Sequence, residues 1–235
     1  AATDDNAFRT FKRDPIYTTI LEHVSEDQGQ QYLNEIKKDT DIYSKIELFK
    51  ENDLYGHPCT SFYDLIGSIS PTTLRYTKVL KDLKDIFGNL ETTNICEIGV
   101  GYGGLCRIIS EYFCIKSYTL VDLPEVLLLA EKFLSKYNTR CSLSFKEERD
   151  LNIAYYDMVI SNYAFSELTK EVQDKYLEKI ILNSKCGYMT YNNAKIPNYS
   201  IYSINEILNI IPKSKVLPEV PLTAPDNKII VWGNK

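Results

Sequence analysis

"NICEIGVGYGGLCRII", residues 94–109, decides the fold. An apolar run with one acid in it, Glu97, gives way to Gly99, Gly101, Gly103 and Gly104, and then to a second apolar run at helical spacing. That order reads as a strand, a tight turn and a helix. Glycine lets the backbone turn sharply and come close to a ligand. The helix that follows offers its unsatisfied N–H groups and the positive end of its dipole. The glycines satisfy GxGxxG and GxGxG equally, so the turn alone leaves the ligand open.

Outward from this turn, strands and helices alternate. Strands are predicted over 94–100, 117–123, 141–147, 156–163 and 186–193, then over 214–222 and 228–234. Helices are predicted over 103–113, 124–137, 170–184 and 202–211. Such alternation calls for a mostly parallel sheet, here seven-stranded, and the last two strands form an antiparallel C-terminal hairpin. Residues 1–90 differ. Apolar residues at helical spacing run through 27–52, and 70–88 opens with a Ser-Pro start and stops at Gly88. We therefore divide the chain into an N-terminal helical extension or lid (1–90) and an α/β core (91–235).

Composition narrows the function. Apolar residues at 44% and charged residues at 25% suit a globular chain able to bury a core. A net charge of −5 disfavours nucleic acid as a partner, and no apolar run approaches the ~20 residues of a membrane span. The six cysteines show no CxxC pair and no nearby histidine, which suggests buried, reduced thiols in a cytoplasmic protein and no metal site. The first residues, "AATDDNAFRT", suggest a processed chain or part of a longer one.

Two acids separate the ligands that the glycine turn allows. Asp122 ends the next strand about twenty residues on, where a carboxylate accepts hydrogens from both ribose hydroxyls. Glu97 precedes the first glycine by two residues, where it would repel a pyrophosphate and attract an ammonium group. A nicotinamide enzyme would also need a second domain, for which too little chain remains.

The motifs "CEIGVGYGG", "LVDLP" and "DMVISNYAFSEL" resemble class I S-adenosylmethionine-dependent methyltransferases with a Rossmann-like fold. Together with "SPTTLRY", "GYMTYN" and "PLTAPDNKIIVWG", in this order, they are similar to the sugar O-methyltransferase family. Leu105 departs from the family, which often carries glutamine there. The resemblance implies that Glu97, Gly99, Gly101 and Gly103 line the methionine end of S-adenosyl-L-methionine. It further implies that Asp122 holds the ribose, Leu123 packs beside the adenine and Glu148 meets the adenine edge. Ser161 and Asn162 end the fourth strand at the edge of the sheet where ligands of this architecture lie.

Methyl transfer to a hydroxyl needs positioning and a base. Glu167, after the fourth strand, is one candidate base and equally suits a helix-capping role. His57 is the other, or a loop histidine packed beside Pro58. Arg75 reads as a clamp on the cofactor carboxylate or as a salt-bridge partner. Tyr163 and Asn192 are candidate contacts to the acceptor, though Asn192 also suits a turn.

The resulting expectation is O-methylation of a sugar or glycan hydroxyl. The alternatives are a non-sugar small-molecule acceptor or a cofactor-binding module without turnover. If the chain is one domain of a longer protein, glycosyltransferase modules are the expected company.

Overall fold

In a computed structural model, residues 1–192 and 200–233 are described; Asn193 and Asn234, at the ends of two predicted strands, lie outside them. Two compact units emerge. The first comprises Ala1–Gly88, Gly101–Tyr112 and Leu128–Thr139; the second holds Asn89–Val100, Phe113–Leu127 and Arg140–Lys235. One division falls between Gly88 and Asn89, and another passes through the glycine turn, between Val100 and Gly101.

The first unit is helical. Its helices are α1 (Asp5–Thr10), α2 (Pro15–Ile20), α3 (Glu26–Ile36), α4 (Thr40–Ser44), α5 (Ile46–Phe49), α6 (Pro71–Phe87) and α7 (Gly104–Tyr112), with the latter part of α8 (Pro124–Leu134). Capping explains the breaks. Ser25 and Gln28 form a capping box at the start of α3. Ser70 caps α6 ahead of Pro71, and Gly88 ends it at φ 79°. The helical pattern read over 27–52 is interrupted because the Asp39 side chain takes the N–H groups of Asp41 and Ile42 and starts α4.

A two-stranded antiparallel hairpin, β1 (Ser61–Tyr63) and β2 (Gly67–Ile69), lies in a region expected to be helical. Tyr102 anchors the core of this unit, with ring centroids 4.7 Å from Phe133 and 5.8 Å from both Phe11 and Tyr76.

The second unit is the sheet, made of β3 (Asn94–Ile98), β4 (Ser117–Val121), β5 (Ser142–Lys146), β6 (Tyr156–Asn162), β7 (Ser184–Tyr191), β8 (Lys215–Pro218) and β9 (Lys228–Trp232). The strand order is β5-β4-β3-β6-β7-β9-β8. β3 to β7 run parallel, and β9 pairs antiparallel with β7 and β8. This is the mostly parallel seven-stranded, Rossmann-like sheet with an antiparallel C-terminal hairpin that the sequence pattern calls for.

The central strands are near-continuous apolar runs because both their faces are buried. Helices α9 (Lys170–Lys179) and α10 (Ile204–Ile210) bring Tyr176, Leu177 and Ile207 into one apolar cluster with Cys96, Ile98, Val159, Met189 and Trp232. Chain order reverses at β3, whose neighbours are β4 and β6. Ligands of open α/β sheets bind outside the carboxyl ends of the strands at such a reversal. Among the described residues, no helix is long and apolar enough to cross a membrane.

Candidate functional site

The carboxyl ends of β3, β4 and β6 gather most of the candidate residues within the sheet unit. Glu97, penultimate in β3, is only 2% exposed, and the Tyr118 hydroxyl donates to its Oε2 at 2.6 Å. Burial pushes the Glu97 carboxyl up to about 8, with the Asp122 charge adding and the Tyr118 hydrogen bond opposing.

Two residues on, Gly99 turns the chain at φ 78° and donates its N–H to the Val121 carbonyl at 2.9 Å. A side chain at this position would meet the Ala164 Cβ at 2.0 Å, so the loop after β6 fills the space the glycine leaves. Asp122 braces the same turn. Its Oδ2 accepts from the Val100 N–H at 2.7 Å and its Oδ1 from the Leu123 N–H at 2.8 Å.

At the end of β6, Ser161 is fully buried; its hydroxyl donates to the Ile98 carbonyl at 3.0 Å and accepts from the Phe165 N–H at 3.1 Å. The hydroxyl expected to face a ligand is thus engaged in tying β3 to the loop after β6. Asn162 differs. Its Oδ1 accepts from the Thr190 hydroxyl at 3.0 Å, while its Nδ2 is buried with no hydrogen-bond partner among the described residues.

Tyr163 sits at φ 65°, a conformation uncommon for a residue with a side chain. Its N–H donates to the Thr190 carbonyl at 2.9 Å, and its hydroxyl reaches Glu219. Glu219, 7% exposed, also accepts from the Thr223 N–H at 2.9 Å and the Asn227 Nδ2 at 3.2 Å.

Glu167 is exposed, so the burial that would favour a base there is lacking; the Asn192 Nδ2 donates to it at 2.7 Å. The Asn192 N–H donates to the Ser166 Oγ at 3.2 Å, which joins the end of β7 to the same loop. Glu148 lies in a short helical turn after β5 and pairs with Lys175 at 3.0 Å. Leu123, expected to pack, is 66% exposed.

The remaining candidates fall in the helical unit. Arg75 is 8% exposed, and its NH2 donates to the Leu21 carbonyl at 3.1 Å. His57 is exposed at φ 52°, and its carbonyl accepts from the Arg13 Nε at 2.8 Å. Side chains at Gly101 and Gly103 would meet Leu21 at 2.9 Å and Leu134 at 3.1 Å.

Sequence reasoning missed Tyr118, Ala164 and the Glu219 group. Only Tyr118 left a signal: it stands at strand spacing from Leu120 on the strand that ends in Asp122.

No protein-family model and no curated protein matches the chain. Similar solved structures include the pyocyanin biosynthetic protein PhzM, at 12% identity and a TM-score of 0.49, covering 68% of this chain and 56% of that one. The CurJ carbon methyltransferase is similar at 14% identity and a TM-score of 0.47, covering 67% of this chain and 52% of that one. Phosphoethanolamine N-methyltransferase 2 of Haemonchus contortus, in complex with S-adenosyl-L-methionine, is similar at 18% identity and a TM-score of 0.46, covering 60% and 38%. The chain thus spans little more than half of the first two proteins and less of the third.

Proposed function

We propose that this chain is an S-adenosylmethionine-dependent O-methyltransferase whose acceptor is a sugar hydroxyl. One observation carries the reading: two acids, Glu97 next to last in β3 and Asp122 just after β4, stand at the carboxyl ends of adjacent parallel strands at the chain reversal of the sheet, with the glycine turn following β3. Glu97 suits an ammonium group, whose charge favours the ionised carboxylate, whereas Asp122 suits ribose hydroxyls. The buried Asn162 Nδ2, without a hydrogen-bond partner among the described residues, offers a donor for an oxygen or ring-nitrogen acceptor. These groups fit an amino-acid-bearing nucleoside.

When bound, S-adenosyl-L-methionine supplies an electrophilic methyl group on a sulfonium. The chain's own task is to hold a hydroxyl in line and take its proton. Glu167 serves as the base in this reading, since it follows β6 in the same unit as Glu97 and Asp122 and is oriented by Asn192. Tyr163 and Asn192 orient the sugar. The sugar class rests on the resemblance of the ordered motifs to those of sugar O-methyltransferases.

Calorimetry with S-adenosylhomocysteine and NAD, followed by mass spectrometry of a sugar panel with S-adenosyl-L-methionine, tests the proposal. S-adenosylhomocysteine should bind and NAD should not, and one sugar should gain a methyl mass. Preferential NAD binding would overturn the cofactor. Binding without any methylated product would favour a module that holds the cofactor without turnover, and methylation only of non-sugar hydroxyls would change the acceptor class. With a working acceptor, Glu167→Gln should lower turnover by ~10²–10⁴ while leaving cofactor affinity intact.

A further inference from the structure

We propose that Tyr118 is a positioning residue of the cofactor site: its hydroxyl fixes the Glu97 carboxyl at the end of β3, so that a cationic group of the cofactor meets a held acceptor. The proposal rests on the reading of Glu97 as the acid that faces the cofactor ammonium.

The sheet register explains how the ring reaches. Tyr118 stands opposite Ile95, and Leu120 stands opposite Glu97, which makes Tyr118 and Glu97 diagonal neighbours on one face of the β3–β4 pair. Tyr118 is fully buried, and its hydroxyl is the hydrogen-bond donor that Glu97 has among the described residues. On the other side, Ile160 of β6 faces Glu97 in register. The ionisable groups acting on it are Tyr118 and Asp122, and the Cys96 thiol lies next to it in the chain. A carboxyl buried to 2% exposure between apolar neighbours, with one neutral donor, lacks the positive charge that would keep it ionised. It is built to receive that charge from outside.

The consequence is proton linkage. Burial, helped by Asp122 and opposed by Tyr118, raises Glu97 to about 8, so near pH 7 it carries its proton. An arriving ammonium favours the ionised form, and a proton leaves. Affinity therefore rises with pH up to about 8 and levels above it. Loss of the Tyr118 hydroxyl removes the bond that favours ionisation, which moves this rise to higher pH.

Calorimetry of S-adenosylhomocysteine binding from pH 6 to 8.5, in buffers of different ionisation enthalpy, reads both affinity and proton release. For the unaltered chain, release should be observed near pH 7. For Tyr118→Phe the rise should move up by about one pH unit, with affinity at pH 7 down roughly tenfold. Identical pH profiles in the two proteins would overturn the positioning role, and so would an equal loss of affinity at every pH. If Tyr118→Phe does not fold, Glu97→Gln carries the test: the pH dependence and proton release should vanish, and their persistence would overturn the proposal. Absence of S-adenosylhomocysteine binding to the unaltered chain at any pH is a distinct result; it removes the cofactor reading and the proposal with it.

Discussion

Arg107 in the helical unit and Glu97 in the sheet unit are almost equally buried, at 1% and 2% exposure, yet their surroundings differ. Both terminal nitrogens of Arg107 are engaged. They donate to the Leu48 carbonyl at 3.2 and 3.1 Å, to the Asn52 Oδ1 at 3.1 Å and to the Glu51 Oε2 at 2.6 Å, and the guanidinium lies 4.3 Å from the Tyr137 ring centroid. Lys12, also fully buried, donates to the Asn52 carbonyl at 2.6 Å and sits 4.1 Å from the Tyr102 ring centroid. Among the described residues, Glu97 has one hydrogen-bond donor, the neutral Tyr118 hydroxyl. Burial alone thus does not set the two apart: Arg107 has an opposite charge beside it, a scaffold pairing, although its Nε has no hydrogen-bond partner among the described residues, whereas Glu97 has no opposite charge among them.

The largest expected effect tests the scaffold side of this contrast. Arg107→Ala leaves the buried Asn52 Oδ1 without its donor and the Glu51 carboxylate without its cation. It should cost about 3–5 kcal/mol in urea unfolding, the scale of breaking a buried charge network by removing one member. A loss below about 1 kcal/mol would mean that the Arg107 contacts are no more structural than those of Glu97.

Lys12 sharpens the contrast through pH. Burial lowers it from its ordinary 10.5 to about 8, with Arg107 adding and the charges of Glu22 and Asp53 opposing. Between these two pH values the unfolded chain holds a proton on Lys12 that the folded chain has released. Stability from this group therefore rises with pH through that window and is flat below it. Lys12→Met removes the titration. The stability difference between the variant and the unaltered chain should shift by about 2–3 kcal/mol between pH 8 and 10.5, in favour of the unaltered chain. A pH-independent difference in chemical denaturation would show that the Lys12 ammonium is not desolvated.

The same contrast explains what the sequence reveals. β3, β4, β6 and β7 were legible because strands buried on both faces must be apolar almost throughout. The places of Glu97, Gly99 and Asp122 at two strand-to-helix turns were legible because each turn is encoded in consecutive residues. The β1–β2 hairpin was not, since each strand has three residues and one buried position, Tyr63 or Ile69. Nor was the tie between Tyr163 and Glu219, which joins residues 56 apart in the chain. Glu167 and Asn192 were singled out separately, but the bond between them was not, for the same reason. Solvent exposure of Glu167 and engagement of the Ser161 hydroxyl depend on packing around the loop after β6, which no local pattern encodes.

The smallest expected effect lies at the junction of that loop with the glycine turn, and it separates two causes for one residue. Gly99 is required by its backbone, at φ 78°, and by space, because a Cβ would lie 2.0 Å from that of Ala164. Gly99→Ala meets both penalties. Ala164→Gly in the same chain relieves the collision and leaves the backbone strain, which is about 1–2 kcal/mol for a left-handed residue with a side chain. Measured by denaturation, the double variant should therefore recover part of the stability lost by Gly99→Ala and remain about 1–2 kcal/mol below Ala164→Gly alone. Full recovery would show that the turn tolerates a side chain once space is made, and that Gly99 serves packing only. No recovery would show that the loop after β6 does not press on the turn in solution.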